Sequence, residues 1–304
     1  MKMQSLVFAA GALLAALCGA PAQAALRVFA CEPEWAALAG ELGGPLVEAS
    51  SATTALQDPH QLQARPSLIA RVRNADLLVC TGAELEAGWL PLLLQQSGND
   101  RVQPGRPGHF AAADFVRKLE IPARVDRAEG DVHAAGNPHI QTDPRNIAAV
   151  ARALSARLQQ VDAAHAGDYA QRGAAFQQQW QQAVARWTAQ AAPLRGLPVA
   201  SQHKGYPYLY DWLGLEEVAV LEPKPGVEPS VAHLQSVLSA LKARPARMVL
   251  SSAYQDPRPA EWLSRNAGIP VVRIAFTVGG SDAAKDLYGL FDDTVARLRA
   301  AAAR

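Results

Sequence analysis

The 304-residue chain has few sulfur-containing side chains, and their spacing does not match a cysteine metal-binding motif. It contains three cysteines and three methionines. No two cysteines follow a Cys-x-x-Cys pattern, which argues against a cysteine-based metal site. The sequence also contains no His-Glu-x-x-His and no Gly-x-Ser-x-Gly motif. These absences argue against the hydrolases that carry such motifs.

The chain has no excess of charge of either sign. It has 29 basic and 28 acidic residues, for a formal net charge of +1 at pH 7. Proteins that bind nucleic acid usually carry a basic patch or stripe. The balanced charge therefore excludes nucleic acid as an expected partner.

Long hydrophobic runs are absent, and the most apolar stretch is at the N-terminus. The run from Leu6 to Leu17 is shorter than the ~20 residues that a membrane-spanning helix requires. It follows a lysine and precedes the triplet Ala22-Gln23-Ala24, which is typical of a secretory signal peptide. We therefore expect residues 1–24 to be cleaved after Ala24 and the mature protein to be periplasmic. Cys18 offers the alternative of a lipid attachment site, which the residues before it do not favour.

The two remaining cysteines form an even pair in an exported protein. Disulfides persist in oxidising compartments, and Cys31 and Cys80 each lie at the end of an apparent strand. If these strands are neighbours, the two sulfur atoms can bond. The sequence therefore predicts a Cys31–Cys80 disulfide, with two buried thiols as the alternative.

Short runs rich in valine and leucine alternate with helical patterns along the chain. This order is typical of parallel sheets covered by helices, an α/β fold. The runs are apolar without strict alternation, as expected for strands buried on both faces. The predicted strands are 26–31, 76–82, 197–203, 247–252 and 270–276, and helical spacing marks 35–42, 66–75 and 231–243.

Two longer helices are predicted between the two groups of strands. Asp143 can cap a helix that has Pro144 in its first turn. Residues 168–192 carry a stripe of large aromatic side chains and are long enough to run the height of the molecule. We therefore expect an N-terminal α/β lobe of residues 25–167, a connecting helix of residues 168–192, and a C-terminal α/β lobe of residues 193–304.

Three histidines are placed where loops of an α/β protein bind ligands. His203 ends a predicted strand, and ligands bind beyond the carboxyl ends of parallel strands. His60 and His139 each follow a proline just ahead of a predicted helix. A lone histidine in a polar loop is most often exposed to solvent. Three imidazoles from separate loops, however, suit zinc, and one carboxylate oxygen would complete a tetrahedron.

Four phrases connect this pattern to a known family. They are DPHQLQARPS, GNPHIQTDPRN, SQHKGYPYLYDWLGL and VVRIAFTVGGSDAAKDLYGL, in this order, on both sides of the long predicted helix. Together they resemble the periplasmic metal-binding proteins of ABC transporters for zinc and manganese, the ZnuA/TroA-like group, and within it most closely the AztC type. The resemblance covers the whole mature chain. It implies two α/β lobes joined by one long rigid helix, with the metal held between the lobes.

The resemblance also assigns metal ligands. It places the family's three histidine ligands on His60, His139 and His203. His133 lies in the same loop as His139 and is the alternative to it, either as a ligand or as an auxiliary histidine. Many zinc-transporting relatives carry a long histidine-rich insertion, which this chain lacks.

The fourth ligand is assigned less directly. Many family members have an aspartate directly after the last strand, where this chain has residues 274–276, Ile-Ala-Phe. We expect Asp282 to take this role, because Gly279 and Gly280 would let its loop bend into the cleft. Asp286 is the next candidate, although it is better placed to cap the final helix.

The implied function is high-affinity capture of Zn²⁺ in the periplasm and its delivery to an ABC permease in the inner membrane, without enzymatic activity. A monomer is expected, and a periplasmic zinc chaperone is left open as a second partner. The alternatives are a manganese or iron carrier of the same fold, an exported zinc hydrolase with water as its fourth ligand, and a carrier of a non-metal solute. The proline-rich stretch 221–230 is either a plain connection or a flap over the metal.

Overall fold

The computed structural model of the chain describes residues 24–124, 130 and 132–304. The predicted signal peptide, apart from Ala24, lies outside the described residues and stays a prediction. No helix in the described part of the chain is both long enough and apolar enough to cross a membrane.

The N-terminal sheet has four parallel strands in the order β2-β1-β3-β4. Its two inner strands carry the most buried residues, and β3 is buried along its whole length. The strands are β1 (Leu26–Ala30), β2 (Val47–Ser51), β3 (Leu77–Cys80) and β4 (His109–Ala111).

The C-terminal sheet repeats this arrangement. Its four parallel strands have the order β6-β5-β7-β8, again with the first strand of the lobe at an inner position. The strands are β5 (Pro198–Ser201), β6 (Glu216–Val220), β7 (Val249–Ser252) and β8 (Val271–Ile274).

Helices cover both sheets. Together with the all-parallel strands they confirm the predicted α/β fold of two lobes joined by a long helix. The helices of the described residues are α1 (Pro33–Gly43), α2 (Pro66–Asn74), α3 (Leu90–Ser97), α4 (Pro144–Val161), α5 (Ala166–Ala191), α6 (Pro207–Leu213), α7 (Val231–Ala243), α8 (Arg258–Ala267) and α9 (Leu287–Ala302).

Helix α5 joins the lobes and has 26 residues, which gives it a length of about 39 Å. Its aromatic stripe is buried: Trp180 donates a hydrogen bond to the carbonyl of Pro144, and Trp187 donates one to Asp292 of α9. Both indole rings also pack near Phe291. The helix is thus fixed by contacts with both halves of the chain, while the exact lobe boundaries stay a prediction.

The predicted disulfide is confirmed. Cys31 and Cys80 are bonded to each other and fully buried. The register of β1 and β3 pairs Ala30 with Val79, so the next residue on each strand lies opposite the other. The bond therefore ties together the carboxyl ends of the two inner strands of the N-terminal sheet.

The sequence did not predict strands β2, β4 and β6 or helices α3, α6 and α8. The three strands lie at sheet edges, and β2 and β6 contain no fully buried residue. An edge strand with partly exposed residues needs no continuous apolar run. This explains why a polar segment such as VEASS was not predicted as a strand.

Candidate metal centre

The three predicted histidines come together between the lobes. His60 lies in the connection from β2 to α2, His139 in the segment that leads into α4, and His203 just after β5. One nitrogen atom from each ring lies within 4.8 Å of the others. His139 and His203 are buried, with 1% and 4% of their surfaces exposed. Their role as metal ligands stays a prediction.

The spacing of the ring nitrogens fits a metal ion. The Nε2 atoms of His139 and His203 are 3.2 Å apart. Two nitrogen ligands at 2.0–2.1 Å from a tetrahedral zinc ion would be separated by about 3.3 Å. The Nε2 atom of His60 is buried and has no hydrogen-bond partner in the described part of the chain. Its ring centre lies 5.3 Å from that of His139 and 5.9 Å from that of His203.

Two carboxylates orient two of these rings. The Nδ1 atom of His60 lies 2.8 Å from Asp58 Oδ1, which also accepts the backbone N–H of His60. The Nδ1 atom of His203 lies 2.7 Å from Glu222 Oε2. A ring that donates its Nδ1–H to a carboxylate leaves the Nε2 lone pair for a metal.

These two carboxylates are functional candidates that sequence reasoning missed. The pKa of Asp58 would be raised by its burial, but its hydrogen bond to His60 and the nearby histidines outweigh this and lower it below the ordinary value. Asp58 therefore carries a negative charge near neutral pH. The Asp-Pro-His order was a usable signal for Asp58, whereas Glu222 is distant in sequence from His203 and gave none.

His139 is held in its neutral form. Burial lowers its pKa well below the ordinary value, and the neighbouring rings of His203, His60 and His133 lower it further. Its Nδ1 atom is buried and has no hydrogen-bond partner among the described residues. A neutral imidazole is the form that binds a metal ion, so this ring is a suitable ligand over a wide range of pH.

The predicted fourth ligand, Asp282, lies elsewhere. Its side chain is exposed in the loop between β8 and α9, and it is not in the group of donor atoms formed by the histidines. The assignment stays a prediction, and it requires this loop to move. Asp286 accepts the backbone N–H of Gly289 and caps α9, the role that the sequence favoured for it.

A phenyl ring lies where the chain leaves the last strand of the C-terminal sheet. Phe276 is buried, and its ring centre is 5.2 Å from that of His139. Its backbone has a φ of 70°, a left-handed conformation that is uncommon for a bulky residue. The surrounding structure therefore holds this ring against the metal centre at a cost in backbone strain.

A fourth histidine stands beside the group. The ring of His133 stacks on that of His60 with 5.3 Å between their centres. His109 bonds through Nδ1 to the carbonyl of Val102, and His165 bonds to Asp162. His133 is thus part of the histidine cluster, while His109 and His165 serve local structure.

The histidines open onto a cavity with a volume of about 500 Å³. Its wall contains an ion pair, in which Lys204 Nζ lies 3.0 Å from Glu120 Oε1. The proline-rich stretch supplies another part of the wall, and the backbone N–H of Gly226 donates to Glu222. The lining includes His139, His203, Glu120, Lys204, Pro223 and Lys224.

Two parallel α/β lobes, one long joining helix and a histidine cluster between the lobes together define a metal-binding solute-binding protein. The chain matches the family model described as zinc-uptake complex component A, periplasmic (ZnuA), over residues 28–301. It therefore belongs to this family. The family consists of substrate-binding proteins of ABC transporters, so the chain is not an enzyme. The AztC-type subgroup stays a prediction.

The names of the curated relatives give three different metals. The high-affinity zinc uptake system protein ZnuA of Paracoccus denitrificans is 25% identical over 292 residues, covering 85% of each chain. The manganese ABC transporter substrate-binding lipoprotein PsaA of Streptococcus pneumoniae is 21% identical over 257 residues, covering 83% of this chain and 80% of that one. The iron ABC transporter substrate-binding lipoprotein MtsA of Streptococcus pyogenes is 22% identical, with the same coverage.

Solved structures of the family share the fold. A zinc-bound deletion mutant of ZnuA has a TM-score of 0.74 at 21% identity, covering 92% of this chain and 100% of that one. FpvC of Pseudomonas aeruginosa in complex with Mn²⁺ has a TM-score of 0.74 at 22% identity, covering 90% of this chain and 99% of that one. At this level of identity the likeness establishes the two-lobe architecture alone.

Proposed function

We propose that the chain binds one Zn²⁺ ion between its lobes and delivers it to an ABC permease. The observation that carries this proposal is the convergence of ring nitrogens from His60, His139 and His203 at the spacing of zinc ligands. His139 is buried in its neutral form, and carboxylates orient the other two rings. In such a site the ligands are already in position, so a divalent cation can bind without rearrangement of the chain.

The ligand chemistry favours zinc over the alternatives. Imidazole nitrogen suits zinc, whereas manganese and other hard cations prefer carboxylate oxygen. Among residues 24–124, 130 and 132–304, the group of converging donor atoms between the lobes contains three histidines and no carboxylate. A carrier of manganese or iron is the second candidate function, because two curated relatives are named for these metals.

The location and partner follow from the family. The family description says periplasmic, and the manganese and iron relatives are named as ABC transporter lipoproteins. These names support a position outside the cytoplasm and a permease as the recipient of the metal. We extend this to a periplasmic monomer that loses residues 1–24, and to a zinc chaperone as a further candidate partner.

Release of the metal is expected to depend on protons. Metal ligands must be unprotonated, so protons compete with zinc for the same nitrogen atoms. Acidification therefore weakens zinc binding. The His139 ring resists this competition, because burial lowers its pKa well below the ordinary value.

The test is a competition between the mature protein and a chromophoric zinc chelator. We expect one tightly bound zinc per chain. His60→Ala, His139→Ala and His203→Ala should each weaken zinc binding by more than about 100-fold. Loss of a carboxylate that only orients a ligand costs 10- to 100-fold, and loss of the ligand itself should cost more. His165→Ala is the matched control, because His165 bonds to Asp162 away from the site.

Two results would contradict the proposal. One is weak zinc binding that none of the three histidine changes alters. The other is a site that keeps Mn²⁺ or Fe²⁺ when an equal concentration of Zn²⁺ is added, which would favour the second candidate function. Asp282→Ala in the same assay tests the remaining ligand prediction, since a loss comparable to the histidine variants would place its carboxylate on the metal.

A further inference from the structure

His139 differs from the other two predicted ligands in what lies behind its ring. Asp58 and Glu222 lie beside the Nδ1 atoms of His60 and His203, whereas the Nδ1 atom of His139 has no hydrogen-bond partner among the described residues. A histidine that binds a metal usually donates its second ring N–H to an oxygen atom, which fixes the orientation of the ring. A contact of another kind must therefore hold the His139 ring.

The phenyl ring of Phe276 makes this contact. It packs against the His139 ring with 5.2 Å between the ring centres and an angle of 62° between the ring planes. Such edge-to-face pairs are attractive, and the attraction depends on their orientation. The other aromatic rings that pack on His139 in the described part of the chain are those of His60 and His203, which are predicted ligands themselves. Phe276 is thus the support that replaces a carboxylate.

The position of Phe276 is itself fixed from several directions. Its ring contacts those of Tyr206 and Tyr254, with 5.7 Å between the ring centres in each pair. The next residue, Thr277, donates a hydrogen bond to the buried carboxyl group of Glu34 on α1. These contacts offset the strain of the positive φ at Phe276. The ring can therefore serve as a rigid support for its neighbour.

Phe276 also lines a second, much smaller cavity that is rich in oxygen atoms. The volume of this cavity is about 20 Å³, which is enough for one water molecule. His139 and His203 line the larger cavity and not this one, whereas Phe276 lines this one and not the larger. The buried polar side chains in its wall are those of Glu32, Glu34, Thr53, Gln141 and Thr277.

Phe276 therefore lies between the histidine cluster and a group of oxygen donors. Carboxylate, carbonyl and water oxygens suit Mn²⁺, which favours six ligands, whereas imidazole suits zinc. Zinc is usually satisfied by four ligands. A buried phenyl ring has no lone pair to donate, and it fills space that water would otherwise enter. It thus keeps the oxygen atoms of Glu34 and Gln141 away from His139.

We propose that Phe276 is a positioning residue that sets the preference of the site for zinc over manganese. Its ring holds the His139 imidazole in place of a carboxylate, and it keeps oxygen donors out of the His139 side of the site. This inference rests on the proposed function. The identity of the fourth donor does not alter it. His133, one candidate for that role, stacks on His60 and lines the larger cavity, which Phe276 does not border.

The experiment measures Zn²⁺ and Mn²⁺ affinities by chelator competition and records the visible spectrum of the Co²⁺-loaded protein. Co²⁺ absorbs strongly with four ligands and weakly with six, so its spectrum reports the number of ligands. Phe276→Leu fills most of the space without an aromatic ring. It should weaken zinc binding by about 2- to 13-fold, the range of an edge-to-face ring pair, and keep the Co²⁺ spectrum of the wild type.

Phe276→Ala removes the ring and opens the space that it fills. The ratio of Zn²⁺ to Mn²⁺ affinity should fall by about tenfold or more, because oxygen ligands can then enter. The Co²⁺ absorption should weaken for the same reason. If this variant does not fold, Phe276→Leu still decides, because wild-type zinc affinity in Phe276→Leu overturns the inference by itself.

Phe176→Leu is the matched control for loss of a buried phenyl ring. Phe176 lies on α5 and packs on Trp180, away from the histidines. This change should lower stability and leave both metal affinities and the Co²⁺ spectrum unchanged. A merely structural role of Phe276 would give the same result as this control.

Failure of the inference differs from failure of the proposed function. A wild-type protein that does not hold zinc against the chelator, or that prefers Mn²⁺, overturns the proposed function before any variant is made. If the wild type holds zinc and Phe276→Ala keeps both the wild-type affinity ratio and the wild-type Co²⁺ spectrum, only the inference about Phe276 is overturned.

Discussion

Replacing the carboxylate behind His203 by an amide should weaken zinc binding without removing a ligand. Glu222 Oε2 lies 2.7 Å from His203 Nδ1, and the Glu222 side chain is only 13% exposed. In Glu222→Gln the ring loses a charged acceptor that fixes its tautomer and makes Nε2 a stronger donor. Such changes typically cost 10- to 100-fold in metal affinity, which corresponds to about 1.4–2.8 kcal/mol.

Asp58→Asn is the matching change behind His60, with a smaller expected effect. The Asp58 side chain is 37% exposed, so water screens its charge more effectively. We expect a loss near tenfold for Asp58→Asn and near 100-fold for Glu222→Gln. The assay is chelator competition at one fixed pH above 7, where the protons compete least.

Glu261→Gln is the control for removal of an acidic side chain, because Glu261 pairs with Arg265 on the surface of α8. Wild-type affinity in Glu222→Gln would refute the reasoning, since it would mean that the carboxylate does not act on the ring. A larger loss in Asp58→Asn than in Glu222→Gln would refute the argument from exposure.

Three further predictions concern stability. Burial raises the pKa of Glu34 from its ordinary value of 4.5 to about 7, so its contribution to stability is complete below pH ~4.5 and lost as the pH rises through 7. Glu34→Gln should therefore reduce the loss of stability between pH 5 and pH 8 by up to ~3 kcal/mol in urea unfolding, and an unchanged pH dependence would contradict this. Because the Cys31–Cys80 bond closes a loop across a sequence separation of 49, the double change to alanine should cost roughly 4 kcal/mol in the same assay, and a cost below ~1 kcal/mol would refute this estimate. Asp143→Ala removes a side chain that caps α4 and should cost about 1–2 kcal/mol, whereas Asp143→Asn should cost less.

The three histidines could be found from sequence because local rules place them. His203 follows an apolar run that had to be a buried strand, and its position at the carboxyl end put it in the cleft. His60 and His139 each follow a proline ahead of a helix. The partner of His60 is also local, since Asp58 lies in the same turn.

The rest of the site depends on the tertiary structure. Glu222 reaches His203 only because the chain after β6 returns beside β5. The ring of Phe276 contacts His139 because its backbone has a positive φ, which no local preference of phenylalanine predicts. The cavity is formed by segments far apart in sequence, such as those that contain Glu120, Lys204 and Lys224.

The same distinction holds for the fold. The inner strands β1, β3, β5 and β7 were predicted because both of their faces are buried, and the edge strand β8 was predicted because its segment is also an apolar run. The edge strands β2 and β6 are partly exposed and gave no such pattern. These edge strands form by pairing with the inner strands, and their own sequences show no strand pattern.

The central claim is that three imidazoles hold the metal, and X-ray absorption at the zinc edge of the loaded protein tests it most directly. The account predicts scattering from three imidazole rings with nitrogen at about 2.0–2.1 Å, together with one oxygen at a similar distance. The outer-ring scattering should fall from three imidazoles to two in His139→Ala. Fewer than three imidazoles in the wild-type protein, or a sulfur ligand at about 2.3 Å, would contradict it.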